Sequence, residues 1–159
     1  YLTRYAAERI RLLPAGRVSK VDLGDITARF GTELELGTAE FQGDNRTSEV
    51  VLNWRIAHTP AQDLSVFVHI YAADGSLVTQ SDGYPLLGLA PFGNWPDGQT
   101  LQDRHTLDWP QDAPAGPYRV GVGVYDRGSG QRLEAFDVDG NRLPDDTVVI
   151  RREMMFVYQ

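Results

Sequence analysis

The sequence predicts an all-β protein, an immunoglobulin-like or carbohydrate-binding-like β-sandwich with a jelly-roll arrangement as a variant, led by a short N-terminal helix. Three observations carry this expectation. The run Glu49–Asp82 reads as three successive strands. Short apolar runs, about eight or nine in all, recur between turn residues along the rest of the chain. Helical spacing of apolar residues is confined to the first 13 positions.

Taken in order, Leu2, Ala6, Ile10 and Leu13 form a helical stripe that Pro14 and Gly16 stop. This divides the chain into a basic helical lead over 1–20 and a sandwich domain over 21–159. Ile26–Phe30 and Leu34–Phe41 read as strands, and Gly37 inside the second suggests a bulge. Val50, Leu52, Trp54 and Ile56 alternate with Asn53 and Arg55, giving a strand with one apolar face. Leu64–Tyr71 is apolar on both faces and belongs in the middle of a sheet, covered on both sides. Asp74-Gly75 predicts a tight primed hairpin turn, because Gly accepts a positive φ. Thr100–Trp109 is a further strand. Tyr118–Tyr125 alternates strictly, with Arg119, Gly121, Gly123 and Tyr125 on one face and the glycines making room for a bulky neighbour across the sheet. Arg132–Val138 and a last pair, Thr147–Ile150 and Glu153–Tyr158, close the chain around a second Asp-Gly turn at Asp139-Gly140.

Composition sets limits on function. The 159 residues suit one domain and contain no Cys, which excludes disulfides, thiolate metal sites and cysteine nucleophiles. No apolar run approaches the roughly 20 residues that span a bilayer. The net charge of −7 argues against nucleic acid as a partner. Residues 1–20 carry +4 of it, so the rest holds −11. A basic head on an acidic body suits a membrane surface or an acidic partner, and equally a solvated helix face. The chain opens on Tyr, as a fragment or processed product would.

Catalytic patterns are sparse. No nucleophile elbow is present, and His58, His69 and His105 share no metal spacing. His69 lies mid-strand with Phe67 and Tyr71, where a structural role is expected. Asp137-Val138-Asp139-Gly140-Asn141 alternates oxygen ligands as a calcium loop does. Arg142 and Val148, however, stand where such a loop needs Gly and Glu, so a polar hairpin turn is expected there. Asp82, Asp103 and Asp108 are expected to cap turns and to pair with Arg104 or Arg55. The most suggestive stretch is Gly83–Gly98. Tyr84, Phe92, Asn94, Trp95 and Asp97 there offer stacking faces and hydrogen-bonding groups of both signs, which is what a sugar requires. The alternative is that these rings pack down as a lid over one end of the sandwich.

Val66–Gly75, then Trp95-Pro96-Asp97-Gly98 followed by Asp103, then Pro114–Tyr118, Gly123–Asp126 and Gly130–Leu133, form a recognisable order. It resembles soluble β-sandwich domains attached to membrane glycosyltransferases of the family 39 type, similar to dolichyl-phosphate-mannose protein mannosyltransferases, in Chloroflexus-like bacteria. The resemblance spans Phe30 to Ile150. It implies a non-catalytic accessory module on the extracytoplasmic face of the cell membrane, joined to the membrane through an upstream segment. The implied partners are glycan, lipid-linked sugar or acceptor protein. The transferase's catalytic acids have no counterpart here, so no catalytic residue, cofactor or metal is expected. Two other functions stay open: a structural or protein-interaction module, and a small hydrolase whose carboxylates or histidines converge only in the fold.

Overall fold

A computed structural model of the chain describes residues 21–85 and 90–156. The basic lead over 1–20 lies outside the described residues, and so does the helix expected in it. The described residues form two antiparallel sheets. One contains β1 (Ala28–Phe30), β2 (Leu34–Gly43), β3 (Thr47–Ile56), β6 (Thr100–Asp108) and β8 (Ala135–Phe136), in the order β6-β3-β2-β1-β8. The other contains β4 (Leu64–Tyr71), β5 (Leu77–Gly83), β7 (Tyr118–Asp126) and β9 (Val148–Met154), in the order β5-β4-β7-β9.

The alternation in each strand decides what the sheets bury. Leu36, Leu52, Trp54 and Ile56 from one sheet meet Val66, Val68, Ile70, Val120, Val122 and Val124 from the other, all fully buried in one core. Trp54 lies at its centre, 5.6 Å from Phe30 and from Phe92 between ring centroids. Aromatic clusters close both ends. Phe92 and Trp95 cover the end near Ile56, while Trp109, Tyr118 and Phe156 stack edge-on or tilted at the end near Ser48. Trp109 Nε1 donates to Ser48 Oγ at 2.7 Å there.

Gly37 sits at a break in register between Leu36 and Ala39, the bulge expected of it. A Cβ at that position would overlap the carbonyl of Leu23, whose oxygen accepts from Thr38 N at 2.9 Å. Four details differ from expectation. The β4–β5 turn has Gly75 at φ 85°, and Asp74 keeps a negative φ. Gly75 N donates to Ala72 O, and Asp74 Oδ1 accepts from Ser76 N and Oγ. That is a one-glycine turn with a following bulge between Ile70 and Tyr71, because the Asp side chain stabilises a right-handed first half. Of the expected final pair, the described part is one strand, β9, kinked on β7 by two register breaks and by Glu153 at φ 51°, and the end of the second, residues 157–158, lies outside the described residues. Arg132–Val138 supplies only the two-residue β8, plus two isolated bridges, Arg132 to Tyr125 and Phe136 to Arg142. Finally, β4 lies in mid-sheet, yet its outer face is covered by side chains of its own sheet and by Arg132, described next.

Candidate functional site

The expected loop site separates into two groups. Phe92 is wholly buried, edge-on to Trp54, and Trp95 is 9% exposed within the same core. Neither ring presents a face to a ligand. The physical reason is that Trp54 and Ile56 leave the sandwich open at this end, and two large rings close it. Asn94 and Asp97 remain exposed, and Tyr84 is half-buried. Their polar groups are largely engaged with the loop between β3 and β4. Asp97 Oδ1 accepts from Thr59 N at 2.7 Å and from Thr59 Oγ1 at 2.9 Å, which hold its carboxyl below the usual carboxylate range. Tyr84 donates to Asp63 at 2.7 Å under the guanidinium of Arg127. Burial and Asp63 push its phenol above the ordinary value. The loop is thus tied down on His58–Asp63, and its rings pack as a lid.

The outer face of the four-stranded sheet presents the aromatic surface that the loop lacks. Phe67, His69 and Tyr71 leave β4 on the side away from the core, as alternation with Val66, Val68 and Ile70 requires. Phe67 pairs with Gly123 and His69 with Gly121 on β7. A Cβ at Gly123 would overlap the Phe67 ring, and one at Gly121 would lie 3.4 Å from Tyr71 Cε2. Gly123 therefore lets the Phe67 ring lie down on β7, the role expected of it, whereas Gly121 makes room chiefly for Thr147, whose Cγ2 would stand 2.8 Å from that Cβ. Phe67 and His69 stand 4.6 Å apart between centroids, and His69 Nδ1 is 2.9 Å from Tyr71 Oη. Arg132 covers Phe67 at 4.5 Å, which together with Gly123 buries that ring to 2% exposure. His69 Nε2 is buried without a hydrogen-bond partner among the described residues, with Asp82 its carboxylate neighbour at 3.5 Å.

Tyr71, at the far end of the ladder, is half-buried and lines a groove of about 500 Å³. Arg119, Arg132, Arg152, Thr147, Val149 and Asp145 line it as well. Arg119 sits 5.1 Å from the Tyr71 ring centre, and Arg132 Nη1 donates to Asp145 O at 2.8 Å. A second hollow of about 520 Å³, lined by Arg119, Arg152 and Glu153, continues it past Gly75. An aromatic platform flanked by guanidinium donors and a few acceptors is equipped to hold a polar ring-shaped ligand. The sequence carried the signal, in the double-sided apolarity of β4 and the two glycines opposite. What it lacked was the fold-back of Arg132 and Asp145 over that face.

A third cluster was not foreseen. Asp103 and His105 both point inward from β6, at 0% and 4% exposure. Asp103 Oδ2 lies 2.6 Å from His105 Nε2, and His105 Nδ1 lies 3.4 Å from Ser81 Oγ on β5. A carboxylate only accepts, so Nε2 carries the proton. The order serine, imidazole, carboxylate is that of a hydrolytic relay. His105 is only 4% exposed, however, and although it lines a hollow of about 270 Å³ with Ser81, Asp82 and Arg104, its Nδ1 stands 3.4 Å from Ser81 Oγ, longer than the contact a general base makes with its nucleophile. The chain acts as a polar tie between β5 and β6. Asp103 accordingly pairs with His105 and Asp82 with His69, while Arg55 and Arg104 pair with Glu35 and Glu49. That replaces the expected pairing of Asp82, Asp103 and Asp108 with Arg55 or Arg104, because strand neighbours on the outer face of the five-stranded sheet reach those arginines first. At Asp137 both carboxylate oxygens accept from their own turn, from Asp139 N, Asn141 N and Asn141 Nδ2, which makes the expected polar hairpin.

No protein-family model matches the chain, and no curated protein matches it. Among solved structures, it is similar to the C-terminal domain of wzt at 11% identity and a TM-score of 0.51, over 85% of this chain and 89% of that one. The two share a β-sandwich fold. At that identity the likeness shows the fold alone. It is also similar to parts of a β-glucosidase from Paenibacillus barengoltzii (12% identity, TM-score 0.37, 80% of this chain) and of a family 2 β-glucuronidase (14%, 0.35, 67%). The chain spans 15% and 11% of those enzymes, and these weaker likenesses carry no argument.

Proposed function

We propose that the chain is a non-catalytic binding module that holds a glycan in the groove beside Tyr71. The observation that carries this reading is the half-buried Tyr71 ring, laid against Gly121 among arginine and threonine donors. Pyranose rings have an apolar face for such a platform and hydroxyls for the groups around it. In keeping with the resemblance stated above, we place the module in a membrane glycosyltransferase-like protein, on the extracytoplasmic face, where it meets glycan or lipid-linked sugar. The 3.4 Å gap between Ser81 Oγ and His105 Nδ1 supports a binding role over a hydrolytic one.

The test is titration with mannose, glucose and short oligosaccharides, followed by calorimetry, for the native chain and for Tyr71→Ala and Trp95→Ala. A stacked ring contributes about 0.5–1.5 kcal/mol, so Tyr71→Ala should weaken binding by roughly three- to tenfold. Trp95→Ala should lower the melting temperature and leave the affinity of the folded protein unchanged. The opposite pattern would return the site to the Gly83–Gly98 loop.

A further inference from the structure

We infer that the saccharide this groove accepts carries an anionic group, a carboxylate or a phosphate; the inference rests on the groove being a glycan site. The argument is one of charge placement. The body of the chain beyond residue 20 has 10 arginines, no lysine and 21 acidic residues, so each arginine has two acids to compete for it. Arg29, Arg55, Arg104 and Arg142 are in ion pairs. Arg119, Arg132 and Arg152 line one groove, and none has a carboxylate within 4 Å among the described residues, although Asp146 lies near enough to Arg132 to feel its charge; Arg46, Arg127 and Arg151 also form no ion pair there, so what distinguishes the three is their gathering in one groove. Like charges gathered at one place repel, and a surface with this excess of acids would disperse them. An anionic ligand relieves that repulsion and meets guanidinium forks suited to bidentate contact with carboxylate or phosphate.

The remaining lining supports a sugar over a bare anion. Asp145 and Glu153 edge the groove and its continuation. They would repel a small anion and accept hydrogen bonds from hydroxyls. Tyr71 gives the apolar face of a ring somewhere to rest. Arg119 is the central group, because it lines both hollows and already lies over Tyr71.

The experiment uses the full chain and five probes: oligogalacturonate, its methyl ester, phosphorylated mannan oligosaccharide, unmodified mannan oligosaccharide and inorganic phosphate. Binding is read by calorimetry at 20 mM and 300 mM NaCl, for the native protein, Tyr71→Ala, Arg119→Gln and Arg152→Gln. The two arginine variants remove surface side chains without severing an ion pair, and melting temperatures check that every variant folds. We expect an acidic saccharide to bind at least tenfold more tightly than its neutral counterpart, to weaken in high salt, and to lose at least tenfold in Arg119→Gln. Equal binding of neutral and acidic saccharides, both lost in Tyr71→Ala, would overturn the inference and leave the glycan site standing. Inorganic phosphate competing as well as the saccharide would overturn it in favour of a simple anion site. Acidic binding indifferent to Arg119 and Arg152 would place the charge contact elsewhere and overturn it too. No binding of any saccharide would overturn both readings.

Discussion

The Asp103–His105 pair gives the sharpest energetic prediction. Asp103 is fully buried, one oxygen 2.6 Å from His105 Nε2 and the other without a hydrogen-bond partner among the described residues. Replacing His105 by Phe keeps the ring volume and leaves a buried carboxylate with nothing opposite it. Removing the only partner of a buried carboxylate costs about 3–5 kcal/mol. Replacing Asp103 by Leu leaves a buried imidazole N–H without its acceptor, which costs about 1–3 kcal/mol. The double variant removes both desolvated groups and fills the space with apolar atoms, so it should unfold within about 1 kcal/mol of the native protein or later. The assay is urea denaturation of all four proteins, extrapolated to water. The coupling energy should then be favourable by several kcal/mol, because the two single costs do not add. Costs that add to within about 0.5 kcal/mol would refute the pairing.

Further outcomes follow from the core and the loops. Trp54→Ala, at the meeting point of Phe30 and Phe92, should cost about 3–5 kcal/mol in the same assay, and a native-like transition would refute the sheet facing. Gly123→Ala should cost about 1–3 kcal/mol by lifting the Phe67 ring off β7, with a change in near-ultraviolet circular dichroism; a silent substitution would deny that contact. A chain lacking residues 1–20 should melt as the full chain does, since the helical stripe over 1–13 is too short to be stable alone and Pro14 and Gly16 part it from the strands, and failure to fold would make that segment part of the core. Hydrogen bonds, first of all from Thr47, Ser76, Thr59, Ser129, Asn141 and Arg142 respectively, hold the carboxyls of Asp44, Asp74, Asp97, Asp126, Asp137 and Asp146 below the ordinary 3.8. A depressed folded value stabilises above the unfolded value, so that stabilisation should be present at neutral pH and lost as pH falls below about 4. A denaturation midpoint flat from pH 6 to pH 2.5 would contradict it.

The strands were legible because alternation is local: Val50, Leu52, Trp54 and Ile56 announce their face without reference to any partner. Gly37 and Gly123 were legible too, since a glycine within a strand has few uses. The turn at Asp74 was misread in type, because an Asp side chain that bonds Ser76 can hold the preceding residues right-handed. Phe92 and Trp95 looked like binding residues because sequence cannot tell an exposed ring from a closing one; that depends on the gap above Trp54. The Asp103–His105–Ser81 chain was invisible because β5 and β6 belong to different sheets. The groove was half legible. Tyr71 and Arg119 face each other by strand register, but Arg132 and Asp145 reach it only through the long connection from β7 to β9.

The groove lies at the opposite end of β4 from the Gly83–Gly98 loop, roughly 20 Å away at the rise of an extended strand. Backbone amide shifts recorded during an oligosaccharide titration therefore separate the two sites directly. The account predicts saturable shifts at Tyr71, Arg119, Gly121, Arg132 and Thr147, with Asn94, Trp95 and Asp97 unmoved. Shifts confined to Asn94–Asp97, or none at tens of millimolar sugar, would contradict it.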